Sequence, residues 1–300
     1  MNPRQSLEVP APCKINVHLR IKNRRADGYH ALESIFLALA FGDVLRFEEV
    51  EEKGTQVTMD WRIPEGPIEN NSVLAAAALF RERTGFGAGI RIQVEKRIPL
   101  GAGLGGGSSD AAATLKALNR LAGRPLKNQA LQEMAEKLGS DVPFFLSGGA
   151  AWVSGRGEKV APLPIPQGIE VLLVYPGFPS DTKKAFRLLD EVRSRSGDSR
   201  GEEEHNDLTE PPAKWKYRND FLPVLLSAGD SGAAEAYRAL LGSLTEGGAD
   251  FTGLSGSGST CFGVFTDTTA ARKTAQAVGG EKNFVQLTFP LAHFAKEVLE

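Results

Sequence analysis

The sequence predicts an α+β protein of two lobes, and three observations carry that reading. Strand-like alternation dominates the opening third, a glycine-dense loop then runs straight into helices, and a proline-rich connector, APLPIPQG, precedes a second set of strands and helices. At 300 residues the chain exceeds the usual single-domain size and has enough length to bury two cores. The connector places the boundary near Pro164, with lobes over residues 1–163 and 164–300.

From Cys13 to Ile21, the residues Ile15, Val17, Leu19 and Ile21 alternate with Lys14, Asn16, His18 and Arg20, which predicts a half-buried strand. FGDVLRFEEV and TQVTMDW read as further strands, with turns expected at Asp27-Gly28 and Phe41-Gly42-Asp43. Asn71 or Ser72 suits the cap of a helix through VLAAAALFRER that Gly85 ends, and GIRIQVEKRI returns to period two. Beyond the glycine loop, SSDAAATLKALNRLAG and NQALQEMAEKLG predict helices closing at Gly123 and Gly139. AAWVSG and IEVLLVYPG predict strands on either side of the connector. SRSGDSRGEEEHND, about residues 194–207, has almost no apolar side chain and is expected to be a mobile surface insertion. Helices near FLPVLLSA and AAEAYRALLGSL, a strand-turn-strand in ADFTGLSGSGSTCFGVF, a helix in TAARKTAQAV and a strand in FVQLTFP complete the chain.

Composition removes several function classes. Thirty-five basic against 37 acidic residues leave a net charge of −2, so no overall field draws the protein to nucleic acid or to an anionic membrane. No run approaches the roughly 18 apolar residues of a membrane span, and MNPRQSLEVPAP lacks a secretion or transit pattern. Cys13 and Cys261 are too far apart in sequence to suggest a scaffold, and His18, His30, His205 and His293 lack ligand spacing. A cytoplasmic protein is expected.

The chemistry centres on PLGAGLGGGSSDAAATL, residues 99–115. Glycine fills cores poorly and loses much entropy on ordering, so such a run implies a use for bare backbone. Its amides can curl around an anion while the following helix directs its free N–H groups and positive dipole end at the same point, with Ser108 and Ser109 adding hydroxyls. The pattern is a phosphate cradle in chemical type. A Walker loop would need a lysine before Ser108, which the run lacks, and the dinucleotide spacing of Gly101, Gly103 and Gly106 has no acidic strand end about 20 residues on. Neither His-Arg-Asp nor Asp-Phe-Gly, the protein-kinase marks, occurs.

At Pro99, Leu104-Gly105 and Gly107-Ser108-Ser109 the chain resembles the GHMP kinase superfamily. PCKINVHL, RRADGYH, GSDVPFFLSGGAAWVSGRGE and LSGSGSTCFGVF narrow the resemblance to a branch acting on a diphosphocytidyl alcohol in the non-mevalonate isoprenoid route, and they span nearly the whole chain. The resemblance implies the two-lobed GHMP architecture, an N-terminal lobe like ribosomal protein S5 domain 2 followed by a C-terminal α/β lobe. It implies ATP as phosphoryl donor with Mg2+, held by Pro99, Leu100, Gly101, Ala102, Gly103, Leu104, Gly105, Gly106, Gly107, Ser108 and Ser109. Asp141 becomes the carboxylate that takes the hydroxyl proton, and Lys14 its partner. Asn16, Tyr29, His30 and Phe186 fall to the cytidyl diphosphate substrate, the aromatics sandwiching the base. Ser255, Gly256, Ser257 and Gly258 become site-lining, and Asn206-Asp207 also matches a family pattern. No metal ligand is assigned. The expected partner is a small molecule, not nucleic acid or membrane, and the expected state is a monomer or homodimer. By local sequence alone, Asp141 equally suits a helix cap, Lys14 a solvated strand lysine, Phe186 a helix core and the late serine-glycine run a plain hairpin.

Overall fold

A computed structural model describes residues 6–62, 71–196, 207–280 and 282–291. Two sheets with helices on their outer faces make the architecture. The first sheet takes β1 (Ser6–Arg24), β2 (His30–Val50), β3 (Thr55–Trp61), β4 (Gly89–Lys96), β5 (Ala150–Gly155), β6 (Lys159–Leu163) and the two-residue β8 (Arg218–Asn219), in the order β3-β4-β2-β1-β8 with β5 and β6 continuing from β2. The second takes β7 (Glu170–Tyr175), β9 (Phe251–Leu254), β10 (Cys261–Phe265) and β11 (Phe284–Thr288), in the order β11-β7-β10-β9. Helices α1 (Ser72–Thr84), α2 (Gly106–Leu121), α3 (Asn128–Leu138) and α4 (Val142–Ser147) belong to the first half of the chain, and α5 (Thr182–Ser196), α6 (Phe221–Ala228), α7 (Ser231–Glu246) and α8 (Thr268–Val278) to the second.

Helix caps follow the local chemistry. Asn71 accepts from Val73 N–H to start α1, and Gly85, at φ 70°, ends it. Asp230 and Asp267 start α7 and α8 in the same way.

The turn expected at Phe41-Gly42-Asp43 is not one. The strand β2 runs through it, and the register with β1 slips there, Pro12 pairing with Gly42 and Cys13 with Leu39. The slip is a bulge, and it reverses which face the side chains enter. Val9 and Ala11 pack into the helix-side core, whereas Cys13, Ile15 and Val17 enter the core between the two sheets. Gly42 is needed because a Cβ there would lie 2.2 Å from Ala11 O. The bulged residues bond to the other end of the chain, Ala40 N–H to Phe289 O and Phe41 N–H to Thr288 Oγ1.

The strand predicted to be half buried is buried on both faces. After the bulge, Lys14, Asn16 and His18 are each no more than 3% exposed. Loop and helix segments that follow much later in sequence cover that polar face, so alternation in the strand alone could not reveal the cover. The proline-rich connector also begins as strand, since β6 reaches Leu163, and the chain enters the second sheet at Glu170. The expected insertion overlaps the end of α5, and its residues 197–206, including His205 and Asn206, lie outside the described residues, as does His293.

Candidate active site

Between the two lobes lies a cleft of about 750 Å³ lined by residues from both. Lys14, Asn16, Tyr29, His30, Gly103, Gly105, Asp141, Phe186, Gly256 and Ser257 all border it. Residues far apart in sequence thus face one space.

Lys14 is held from three sides. Its Nζ donates to Asn16 Oδ1 at 2.7 Å and to Gly103 O at 3.0 Å, and it lies 3.6 Å from Asp141 Oδ2, an ion pair longer than a hydrogen bond. Burial lowers its pKa, and the Asp141 charge works against that shift. Asn16 in turn donates through Nδ2 to Ser34 Oγ at 2.9 Å, which fixes its amide orientation. Asp141 stands at the cap position of α4, but its side chain makes no capping bond. The carboxylate therefore remains available toward Lys14 and the cleft, and its side chain keeps 29% exposure. Cys13, one residue from Lys14, is completely buried, and burial raises its thiol pKa, so it stays a neutral core residue.

The glycine loop is anchored to the second lobe. Ser255 Oγ donates to Gly103 O, Thr260 N–H to Ala102 O, and Ser180 N–H to Gly101 O at 2.9, 3.1 and 2.8 Å. Helix α2 begins at Gly106, and Ser109 N–H makes its first bond back to Gly105 O. The amides of Gly106, Gly107 and Ser108 precede any intrahelical acceptor and mark the positive end of the helix. Ser109 Oγ is buried without a hydrogen-bond partner, as is Asn71 Nδ2 at the start of α1. Within the loop, Pro99, Ala102 and Leu104 are buried and Leu100 is exposed, so the bare backbone comes from the glycines. Of the late loop, Gly256 and Ser257 face the cleft, Ser255 is buried beneath Gly103, and Gly258 abuts Gly103 and the Tyr237 hydroxyl.

The aromatic arrangement differs from the expected open sandwich. Phe186 stacks on His30 itself, with ring centres 4.9 Å apart and planes at 19°, while its far side meets Phe221 edge-on. His30 Nε2 is 2.8 Å from Asp190 Oδ1. Tyr29 is 57% exposed, and the Arg156 guanidinium lies 5.1 Å from its ring centre. One face of Phe186 is thus taken by His30, while Tyr29 remains largely exposed at the mouth of the cleft.

Sequence reading missed the cleft's cations. Arg24, Arg156, Lys183 and Arg187 also line it. The signal for two of them was present: Thr182, Lys183, Phe186, Arg187 and Asp190 recur at helical spacing, and α5 turns that face to the cleft.

A family model described as the GHMP kinases N terminal domain matches residues 71–149, and one described as GHMP kinases C terminal matches residues 233–283. The chain is 41% identical over 274 residues to a 4-diphosphocytidyl-2-C-methyl-D-erythritol kinase of Anaeromyxobacter dehalogenans, covering 90% of this chain and 84% of that one. It is 35% identical over 283 residues to the enzyme of the same name from Treponema pallidum, covering 90% and 93%. A solved structure of 4-(cytidine 5'-diphospho)-2C-methyl-D-erythritol kinase superposes with a TM-score of 0.71 at 32% identity, over 95% of this chain and all of the other.

Proposed function

The chain belongs to the 4-diphosphocytidyl-2-C-methyl-D-erythritol kinase family of GHMP kinases, and from that premise we propose that it uses ATP to phosphorylate the 2-hydroxyl of 4-diphosphocytidyl-2-C-methyl-D-erythritol. The reaction is a step toward isoprenoid precursors by the non-mevalonate route. One observation carries the assignment of roles: Lys14, Asp141 and the backbone of the glycine loop meet at one point of the interlobe cleft.

Transfer of a phosphoryl group to an alcohol needs an in-line oxygen, a group to orient it and take its proton, and fixed positive charge where negative charge develops. Asp141 is the carboxylate placed to orient the hydroxyl and accept its proton. The Lys14 ammonium adds positive charge beside Asp141 and the attacking oxygen. Because Lys14 is bound to Asn16 and Gly103 O, its position is set before substrate arrives. The uncommitted amides at the start of α2 receive the nucleotide phosphates, and residues 99–109 form that cradle.

Mg2+ fits this donor set through the nucleotide rather than through a dedicated cage. No group of three or more carboxylate, histidine or cysteine side chains among the described residues could hold a metal, and Ser109 Oγ is a buried oxygen still without a partner. Bound there, the ion would neutralise phosphate charge.

Tyr29, His30 and Phe186 read the cytosine. Tyr29 offers its exposed face, and Phe186 backs the His30 ring whose edge meets the polar rim of the base. The lobes are residues 1–163 and 164–300, meeting at this cleft. The test is a coupled ADP-release assay on the cytidyl alcohol and on the same alcohol without its cytidyl group. Turnover should require the cytidyl group, and Tyr29→Ala should raise KM for the cytidyl substrate well beyond any change in KM for ATP. Equal changes in the two constants would remove Tyr29 from base recognition.

A further inference from the structure

A second cavity opens at the end of α2 remote from the glycine loop. It measures about 250 Å³ and is lined by Lys116, Asn119 and Arg120 of α2, by Arg124 and Leu126 of the next loop, and by Asn128 and Leu131 of α3. Three cations and no carboxylate line it.

The loop that supplies Arg124 is fixed by its own bonds. Asn119 donates through Nδ2 to Leu126 O and accepts from Leu126 N–H, both at 3.0 Å, and Arg124 N–H donates to Asn119 O. Arg124 itself is held at φ 62°, a left-handed conformation that costs a non-glycine residue energy. Helix α3 starts at this cavity with Lys127 at its cap position and no side-chain capping bond. Its first amides therefore add positive potential to that of the side chains.

Cations near the end of α2 also complement its dipole, but that effect needs neither a cavity nor burial. Lys116 is 4% exposed, with Nζ donating to Phe145 O at 2.9 Å. Burial pulls its ammonium down to about 7, and the charged groups that line the cavity with it, Arg120 and Arg124, carry the same sign. An anion in the cavity would meet the Arg120 and Arg124 guanidinium groups and the first amides of α3.

We propose that this cavity binds a small phosphate-type oxyanion, inorganic phosphate or diphosphate, at a site separate from the nucleotide cleft. Its volume falls below the roughly 300–1,000 Å³ of pockets that enclose drug-sized ligands, which suits an oxyanion and bridging water rather than a nucleotide.

The experiment is calorimetric titration of the full-length protein with phosphate and, separately, with diphosphate, the cleft being saturated with a non-hydrolysable ATP analogue. Potassium chloride at matched ionic strength serves as the control. The native protein should bind one equivalent of at least one of these anions, and Arg120→Ser/Arg124→Ser should weaken that binding roughly tenfold or more. Both arginines are exposed and lie outside the cleft, so the variant should keep the native circular dichroism spectrum and kcat. Absence of saturable binding by either anion, an unchanged affinity in the variant, or reproduction of the signal by chloride would overturn the proposal. This outcome is independent of the kinase assignment, because the titration reads no turnover.

Discussion

At the scale of single residues, the site is defined by what Asp141 does not do. A carboxylate at a helix cap position would ordinarily accept from an amide of the first turn, but this one points instead to Lys14, 3.6 Å away. With no cap bond to lose, Asp141→Asn should leave the fold intact while lowering turnover roughly 10²–10⁴-fold. Steady-state kinetics beside a thermal melt will check this, and near-native turnover would exclude Asp141 from proton transfer. Lys14 and Asp141 were both legible in the sequence, though only as motif members. Local chemistry left Lys14 an ordinary strand lysine, because its partners Gly103 and Asp141 lie more than 80 positions away. The direct stacking of Phe186 on His30 was not legible at all, since ring orientation arises from α5 packing across the cleft.

At the scale of elements, the glycine loop and the late serine-glycine loop work as a single unit. Gly103 sits at φ 76°, and a Cβ there would lie 2.2 Å from Ser255 O and 2.7 Å from Gly258 O. Gly103→Ala should force the two loops apart, lower the melting temperature and raise KM for ATP together. The measurement is thermal unfolding paired with ATP titration of the rate, and a variant with native values of both would show that the contact is dispensable. Helices were the most readable elements, because caps such as Asn71 and Gly85 lie within a few residues of what they cap. The β2 bulge escaped notice because Phe41-Gly42-Asp43 has the composition of a turn, and only its pairing with β1 and with residues 288–289 keeps it extended. The two-residue β8 carries too few residues for any periodic signal.

At the scale of the whole molecule, a buried ion cluster joins the first sheet to the helix that bears the phosphate cradle. Lys96 of β4 bonds to Asp43 of β2 and to Asp110 of α2, and all three are at most 4% exposed. Burial pushes the Asp110 carboxyl up to about 7, Lys96 draws it down and the neighbouring Asp43 raises it further. Removing the cation leaves two buried carboxylates uncompensated, so Lys96→Met should destabilise the protein by about 3–5 kcal/mol near neutral pH. The loss should shrink in acid. A buried carboxyl whose folded pKa exceeds its unfolded value binds protons preferentially in the folded state, so stability falls as pH rises through that range. Urea unfolding at acid and neutral pH will test both magnitude and direction, and a pH-independent loss would contradict the account.

The pairing of β8 with β1 gives the molecule an order of assembly. Residues 218 and 219 close the free edge of β1 in parallel at His18 and Leu19, so a nascent chain still on the ribosome carries that edge open until most of its length has emerged. Such a delay favours holding by a chaperone over early independent folding, and it makes a polypeptide ending at residue 163 prone to edge-to-edge association.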